Sequence, residues 1–417
     1  MKKILALFFL SFLSLACIYE APQWTPDGKK LVCGVFYDDE NGQDQYQFFS
    51  IDLETKKAVP VTQFIESKSG VAPALSPDGS QIAYFFHEEG MSENRMDLHI
   101  MNLDGSGDRK VIELAKEEDR VEYTLKPWNP DGKILAVQSF NPQKSVYEIL
   151  LVDLDGNKRV LSGLQSFVLP SWSPDGRHLA YLVKKEKTYD LMMTEVNSLE
   201  SKTLAADISL PVKRAKELLP FLVPAWSSDG KTIAYVNDHQ IGLIDIESTR
   251  KKDITLGKGF KVYPQWSKDG QNLIFMKVIF KKKEPMYGQS SSKLILINRN
   301  GKEAKVLATL PGESYLPQWS PDGEKIAFLF AYQDFLSFLP AVVTLEGNIE
   351  FFPVNDYQKI SLGHYYLTDS NPVNWEKGKK MLGEVIQEHP NTKWSTSAQD
   401  ILKQYPDHSE GLKKNKN

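Results

Sequence analysis

Cysteine is almost absent from this chain of 417 residues, which contains only Cys17 and Cys33. A chain of this length buries enough apolar surface to fold without disulfides, even outside the cell. An excess of one charge sign is also absent, because the formal net charge is −4. Nucleic-acid-binding surfaces normally carry a basic excess. The composition therefore indicates a globular protein with no nucleic-acid partner.

Long apolar runs are lacking except at the N-terminus. Lys2 and Lys3 precede a run over residues 4–16 that is apolar apart from two serines. A membrane-spanning helix needs about 20 apolar residues, whereas a signal-peptide core needs roughly 7 to 15. We therefore predict a signal peptide over residues 1–16 and an exported protein.

Cys17 directly follows this run. The arrangement resembles a bacterial lipoprotein signal, which implies that the Cys17 thiol carries a lipid anchor. Residues 14–16, Ser-Leu-Ala, also fit an ordinary cleavage site with small residues at its two ends. With Cys17 lipidated, Cys33 is expected to be a buried thiol in an apolar strand. Without lipidation, a Cys17–Cys33 disulfide is possible.

Sequence motifs that carry catalysis are also lacking. The chain has no Gly-x-Ser-x-Gly nucleophile elbow and no pair of histidines at metal-ligand spacing, since His87, His99, His178 and His239 are scattered. Residues 38–44 hold four acids but lack the terminal glutamate of a calcium-binding loop, so we interpret them as a hairpin loop. We assign no catalytic, cofactor or metal residue and predict that the protein is not an enzyme.

A Pro-Asp-Gly-type turn recurs seven times and dominates the sequence. Its aspartates are Asp27, Asp78, Asp131, Asp175, Asp229, Asp269 and Asp322. Three residues before each aspartate stands a position that we call the slot, which holds Trp24, Leu75, Trp128, Trp172, Trp226, Trp266 and Trp319. Because the context repeats, we interpret the aspartates as turn residues and the tryptophans as packing between neighbouring repeats, not as catalytic or sugar-binding groups.

Each repeat contains further strands beside the turn. In the fourth repeat, strand patterns cover residues 170–172, 178–183, 190–196 and 202–204. Four strands in a unit of about 40 to 54 residues indicate one blade of a β-propeller. We therefore predict an all-β fold, a seven-bladed propeller of four-stranded antiparallel blades over residues 19–355, with six blades as the alternative.

The strand pattern stops after the propeller, and residues 356–370 are interpreted as a linker. Asn371 followed by Pro372 is a favourable helix start, since Asn caps the first turn and Pro has no N–H to lose. Apolar side chains then recur at helical spacing as far as His389.

A second helix is predicted from a cap at Ser395 to a stop at Pro406. The two helices form an α-helical hairpin over residues 371–406, which resembles one helix pair of tetratricopeptide-like envelope proteins. One pair cannot form a solenoid, so we expect it to pack on the propeller or on a partner. Residues 407–417 are predicted to be disordered.

The repeat unit, an aromatic residue before Ser-Pro-Asp-Gly and a strand of the Ile-Ala-Tyr type, resembles that of TolB-like propellers. The resemblance covers residues 19–355 and implies a periplasmic propeller that binds a protein or peptide of the Tol–Pal envelope system without a cofactor. TolB proteins have six blades behind an N-terminal α/β domain. This chain differs, since it has seven repeats and the first begins within a few residues of Cys17.

We expect a lipid-anchored, monomeric binding scaffold in the periplasm or at the outer membrane. Residues 205–221 and 277–293 are the predicted contact loops, together with the mouth of the channel. The alternative is a saccharide-binding or oligogalacturonate-lyase-like propeller, a related class that holds a metal through clustered histidines. A third possibility is an assembly factor whose helical tail binds a client.

Overall fold

A computed structural model describes residues 21–38, 44–62, 73–86, 95–115, 126–164, 170–209, 222–255, 257–279, 291–311, 313–331, 338–368 and 371–406. In this part of the chain seven antiparallel sheets follow one another and precede three helices. The predicted seven-bladed propeller is confirmed, and the six-bladed alternative is wrong.

Each blade uses consecutive strands. Blade 1 contains β1 (Gln23–Trp24), β2 (Lys30–Asp38), β3 (Asp44–Asp52) and β4 (Ala58–Pro60), and blade 2 contains β5 (Ala74–Leu75), β6 (Gln81–Phe86), β7 (Arg95–Asn102) and β8 (Arg109–Ala115). Blade 3 contains β9 (Ile134–Asn141), β10 (Val146–Asp153) and β11 (Lys158–Leu164). Blade 4 contains β12 (Ser171–Trp172), β13 (His178–Lys184), β14 (Tyr189–Glu195) and β15 (Ser201–Ile208). Blade 5 contains β16 (Ala225–Trp226), β17 (Thr232–Asn237), β18 (Gln240–Asp245) and β19 (Lys251–Asp253). Blade 6 contains β20 (Phe260–Trp266), β21 (Asn272–Ile279), β22 (Ser291–Asn298) and β23 (Lys305–Pro311). Blade 7 contains β24 (Glu313–Trp319), β25 (Lys325–Ala331), β26 (Phe338–Thr344) and β27 (Ile349–Phe351). In blade 3 the first strand is reduced to a bridge between Trp128 and Leu135.

The strands of each blade pair in chain order, from the first strand to the last. The last strands are the most exposed, and all three residues of β19 face solvent. The first strands β12, β16, β20 and β24 contact one another from blade to blade. The first strands therefore line the central lumen, and the last strands form the outer rim.

The turn of blade 2 shows why the repeated residues are needed. The Gly79 N–H donates to the Ser76 carbonyl at 2.9 Å, and Gly79 has a φ of 76°, which other residues rarely adopt. Asp78 Oδ1 accepts from the Ser76 hydroxyl at 2.6 Å and from the Ser80 N–H at 3.0 Å. These hydrogen bonds hold the pKa of Asp78 below its usual value. The turn is thus closed by its own side chains.

Neighbouring turns also contact one another around one face of the ring. A Cβ added to Gly79 would lie only 2.5 Å from Pro26 Cδ in the preceding turn. A Cβ on Gly28 of the first turn would lie 3.7 Å from Pro321 Cδ of the last turn. The first and last turns are therefore neighbours, as a closed ring of seven requires.

A hydrogen bond from each slot tryptophan joins its blade to the blade before it. In each case the indole N–H donates to the main-chain carbonyl of the residue that directly precedes the slot of the preceding blade. The pairs are Trp128 to Ala74 (2.7 Å), Trp172 to Pro127 (2.9 Å), Trp226 to Ser171 (3.1 Å), Trp266 to Ala225 (3.1 Å), Trp319 to Gln265 (3.3 Å) and Trp24 to Gln318 (3.1 Å). The six tryptophans thus occupy equivalent places around the axis.

The slot of blade 2 holds Leu75, which has no side-chain N–H, and a different residue replaces the missing bond. Gln23 of blade 1 donates through Nε2 to the Pro73 carbonyl, and its Oε1 accepts from the Leu75 N–H at 2.7 Å. Blades 1 and 2 are therefore joined by one carboxamide that satisfies two main-chain groups.

Blades 1 and 7 meet at a seam that no described strand crosses, since neither sheet includes a described strand from the other end of the chain. The seam is held by the Trp24 indole, by an ion pair between Lys56 and Glu350, and by a buried apolar cluster. Members of that cluster include Cys33 of blade 1, which is 0% exposed, and Val342 of blade 7. Side-chain contacts alone therefore close the ring.

The prediction of a linker over residues 356–370 is wrong, because helix α1 covers Asp356–Leu367. Asn355 caps this helix by accepting from the Gln358 N–H at 2.9 Å. The buried side of α1 includes Gln358 and Gly363 beside its apolar residues. Such a face has a weak hydrophobic period, so the sequence pattern did not indicate a helix.

Two further helices follow α1, so the tail has three helices where a hairpin was predicted. Helix α2 covers Pro372–Glu388, and its predicted cap Asn371 is confirmed. Helix α3 covers Lys393–Gln404, but its predicted cap is wrong, because Thr392 accepts from the Ser395 N–H at 3.2 Å. Ser395 lies inside the first turn and is buried.

The helical tail packs on blade 7. The ring of Tyr365 in α1 contacts Phe330 at a centroid distance of 5.5 Å and Phe351 at 6.0 Å. Helices α1 and α2 approach closely, since a Cβ on Gly378 would lie 2.6 Å from the Gly363 carbonyl oxygen. Among the described residues, none of the helices combines the length and the apolar character that crossing a bilayer requires.

The seam predicts where the propeller opens first. Replacing Trp24→Phe removes the indole donor at the seam, and Trp172→Phe removes the same donor inside the ring. Each loss should lower the free energy of unfolding by about 1–3 kcal/mol. We expect only Trp24→Phe to speed native-state alkylation of Cys33, by about tenfold, measured by mass spectrometry of the Cys33 peptide. Equal alkylation rates in the two variants would contradict a seam that opens locally.

The carboxamide of Gln23 gives a second prediction. Gln23→Leu leaves the Pro73 carbonyl and the Leu75 N–H without their partner, so the free energy of unfolding should fall by about 1–3 kcal/mol. Gln318→Leu is the matched control, because Gln318 holds the same position in blade 7 and its carboxamide bonds to no described residue, while its main-chain carbonyl accepts from Trp24. Urea unfolding curves measure both, and a similar loss in the two variants would refute the assignment.

Candidate functional site

A hydrogen bond crosses the central lumen of the propeller. Lys126 Nζ donates to Gln265 Oε1 at a distance of 3.0 Å. Lys126 stands just before the slot of blade 3, and Gln265 directly precedes the slot of blade 6. These blades are not neighbours in the ring, so the two side chains meet across the lumen.

Lys126 is a cation that no charged group among the described residues compensates. The side chain keeps surface exposed toward the lumen, but the surrounding blades withdraw it from bulk solvent, and this burial lowers the pKa of Lys126 to about 8. Among the described residues it donates only to the neutral oxygen of Gln265. An ammonium group has three N–H donors, so two of them have no partner in the part of the chain that the structure describes.

Lys261 shows what a structural lysine looks like in the same molecule. It is 2% exposed, and its Nζ donates to Gln240 Oε1 at 2.8 Å and to the Gly257 carbonyl at 2.7 Å. Burial lowers the pKa of Lys261 as well, with a further contribution from Lys277. Its polar partners lie between blades 5 and 6, so Lys261 joins two blades, whereas Lys126 faces the lumen.

The lumen wall is irregular in blades 6 and 7. Tyr263 has a φ of 57° and Leu316 a φ of 52°, although each is bulky and directly precedes a proline. This left-handed conformation is strained for such residues. The strand register shifts at the same places, just before Gln265 and Gln318. These bulges direct the inner strand so that Gln265 meets Lys126.

The residues that the sequence singled out lie elsewhere. The turn aspartates form a ring on one face, and each is bonded within its own turn, as Asp78 is. In the turn of blade 3 the Lys133 N–H donates to Asp131 and to Asn129, which replaces the usual serine. Cys17 and His87 lie outside the described residues, as do most of the predicted contact loops over residues 205–221 and 277–293 and the centre of the acidic segment 38–44.

The described propeller histidines do not form a common site. His99 Nδ1 lies 3.1 Å from Asp108 Oδ1, which also accepts from the Tyr84 hydroxyl at 2.7 Å. His178 contacts the Trp226 ring, and His239 contacts the Phe260 ring. Each histidine is therefore part of a separate side-chain contact.

One group among the described residues has ligand atoms close enough for a metal ion, and it lies in the helical tail. Asp356, Glu388 and His389 have ligand atoms within 4.8 Å of one another. Lys359 already occupies this position, since its Nζ lies 2.9 Å from Glu388 Oε2 and 3.7 Å from Asp356 Oδ1. We interpret the group as an ion-pair cluster that joins α1 to the end of α2.

Sequence reasoning missed both Lys126 and Gln265, although one signal was available. In six repeats a proline stands two residues before the slot, and in the third repeat Lys126 takes that place while Pro127 directly precedes Trp128. This departure from the repeat marks the lysine that meets Gln265 across the lumen. Gln265 gave no such signal, because Gln318 and Gln23 hold the same position in their repeats.

The lowered pKa of Lys126 gives a prediction about stability. A cation whose pKa is lowered by folding destabilises the folded state below the folded pKa, and this cost fades as the pH rises through it. We expect Lys126→Met to raise the Tm at about pH 7, and the gap to wild type to narrow toward about pH 9.5. Thermal melts followed by circular dichroism measure this. Lys133→Met, at an exposed lysine of the same blade, should leave the Tm unchanged, and a lower Tm for Lys126→Met at both pH values would refute the prediction.

The sequence of the propeller is similar to those of known proteins. Residues 131–276 match the TolB beta propeller domain. A TolB homolog from Chlorobium luteolum is 30% identical over 125 residues, which cover 29% of this chain and 26% of that protein. Dipeptidyl-peptidase 5 from Porphyromonas gingivalis is 24% identical over 310 residues, which cover 61% of this chain and 44% of that protein. The chain thus spans less than half the length of these two curated relatives.

Two solved structures share the fold at low sequence identity. The β-propeller domain of the trilobed protease from Pyrococcus furiosus has a TM-score of 0.55 at 14% identity, covering 78% of this chain and 92% of that chain. It is described as having an open velcro topology, and blades 1 and 7 of this chain likewise share no strand. Oligogalacturonate lyase from Vibrio parahaemolyticus has a TM-score of 0.53 at 14% identity, covering 79% and 89%. The domain match over residues 131–276 and the seven repeated blades show that the propeller of this chain is similar to that of TolB.

Proposed function

We propose that this protein is a non-enzymatic scaffold of the bacterial envelope, and that its propeller binds an extended segment of another protein in the lumen. The observation that carries the proposal is the bond between Lys126 and Gln265 across the closed ring, in which the other Lys126 donors meet no described residue. Groups of this kind in a concave site are typical of ligand recognition.

The frame around the lumen is suited to such binding. The slot tryptophans join successive blades through the same indole hydrogen bond, and the Gln23 carboxamide replaces it where Leu75 stands. A receptor that is already ordered before its ligand arrives loses little conformational entropy on binding. The ring therefore supports a role as a rigid receptor.

Catalysis is the competing class, because a peptidase is among the relatives and a lyase is among the structural neighbours. The sequence has neither the nucleophile elbow nor the paired histidines that those chemistries use. The described histidines His99, His178 and His239 are engaged in separate contacts. These observations favour a binding role over an enzymatic one.

The proposal includes the location of the protein. The apolar run over residues 4–16 and the cysteine that follows it support export and a lipid anchor on Cys17, in the periplasm or at the outer membrane. The TolB-like propeller supports an envelope protein, such as a Tol–Pal-like component, as the partner of a monomeric scaffold.

Site-specific photocrosslinking in the intact cell tests the binding role. A benzoylphenylalanine at position 318 lies on the lumen wall, and one at position 59 lies on the outer rim, where Val59 is 58% exposed. We expect position 318 to capture a discrete envelope protein and position 59 to capture none of it. The same capture at both positions, or none at position 318, would refute binding in the lumen.

The anchor is tested separately. We expect wild-type protein to sediment with membranes and Cys17→Ala to become soluble, because the variant has no thiol for the lipid. Mass spectrometry of the mature N-terminus supplies the mass of the modification, and Cys33→Ala is the matched control, which should still sediment. Soluble wild-type protein with an unmodified N-terminus would refute the anchor.

A further inference from the structure

We infer that the lumen recognises a single carboxylate of the bound segment, and that Lys126 and Gln265 receive it together. The inference rests on the proposed binding in the lumen and names the chemistry of the ligand. The recognised group is the side chain of an aspartate or glutamate, or the C-terminal carboxylate, of an extended polypeptide.

The charge of the site points to an anion. No charged group among the described residues acts on the pKa of Lys126, which is lowered by burial alone. A cation withdrawn from water without a counterion is unfavourable, and a bound anion removes that cost. An anionic ligand would therefore supply the counterion that the described part of the ring does not provide.

The hydrogen-bonding groups point to a carboxylate. The Gln265 oxygen accepts from Lys126, so the Nε2 group of the same carboxamide is directed to the lumen as a donor, and it is bonded to no described residue. A carboxylate has two oxygens, one for the remaining Lys126 donors and one for Gln265 Nε2. One side of the ligand group then meets blade 3 and the other meets blade 6.

The size and charge of the site favour a monoanion on a thin chain. One lysine and one glutamine side chain together span the lumen between blades 3 and 6, so we expect the ligand to pass this level as a single extended strand. A phosphate dianion would retain an unpaired negative charge beside a single cation. A carboxylate matches that cation in charge.

The chain offers a matched pair of variants for the test. Gln265→Glu gives Lys126 an internal carboxylate and should block the site, whereas Gln240→Glu gives an internal carboxylate to Lys261, which lies between blades 5 and 6. Both variants introduce the same charge beside a lysine whose pKa is lowered by burial. Lys126→Arg retains the cation and Lys126→Met removes it.

The first experiment repeats the crosslinking from position 318 in these variants, after thermal melts have shown that each is folded. We expect the capture to fall at least tenfold in Lys126→Met and Gln265→Glu and to persist in Lys126→Arg and Gln240→Glu, since about 1.4 kcal/mol corresponds to tenfold. Undiminished capture in Lys126→Met and Gln265→Glu would overturn the carboxylate inference while leaving lumen binding intact. No capture in the wild type would instead refute the proposed function.

Mass spectrometry of the captured peptide distinguishes the two sources of the carboxylate. An internal peptide should contain an aspartate or glutamate whose amide substitution abolishes capture, and a terminal peptide should lose capture when one residue is added to its end. Either result supports the inference. A captured peptide that has neither group overturns it.

A second experiment needs no partner. The acylation rate of Lys126 by an N-hydroxysuccinimide ester is measured by peptide mass spectrometry at about pH 8, in acetate, chloride or phosphate of equal ionic strength. Acetate should slow the reaction by about threefold relative to chloride, because a paired amine retains its proton. The effect should vanish in Gln265→Glu and persist in Gln240→Glu. Equal rates in acetate and chloride, or stronger protection by phosphate, would overturn the inference.

Discussion

The hydrogen bond from each slot tryptophan to the preceding blade is the constraint on which the rest of the structure depends. This bond holds the first strand of one blade against the first strand of the preceding blade in the same relative position each time. Because the same arrangement recurs from blade to blade, the blades form a ring. No strand is shared between the first and last blades, and closure therefore depends on the same bond from Trp24 to Gln318 and on the apolar contacts around Cys33. The lumen exists as a defined cavity only because these side-chain contacts close the circle.

Function is expected where the repeat is broken, because the repeated residues are already used to build the blades. The turn aspartates are bonded inside their own turns, and the tryptophans are bonded between blades. Lys126 stands where six other repeats have proline, and strained residues at Tyr263 and Leu316 precede the lumen glutamines of blades 6 and 7. Strain and a withdrawn charge both oppose folding, so their presence in the ring supports the proposed role in binding.

In the helical tail, the spacing of apolar residues in the sequence predicts some helices and misses others. Helix α2 was predictable, because Asn371 and Pro372 form a strong start signal and an apolar face follows. Helix α1 was not, since its buried side includes Gln358 and Gly363. Gly363 is needed because α2 approaches closely at Gly378, and the Gln358 side chain accepts from the Val354 N–H at the helix entrance. Local patterns cannot reveal a helix whose face is shaped by its neighbours.

The amino-acid sequence by itself determined the blades, their number and the residues of each turn, because these depend on contacts within about 50 residues that repeat seven times. Only the tertiary structure decided which residues meet in the lumen. Lys126 and Gln265 lie 139 positions apart, and neither carries a local pattern that names the other. Their pairing, the lowered pKa of Lys126 and the seam beside Cys33 arise from the closure of the ring, which brings distant segments together without any signal in their immediate sequence.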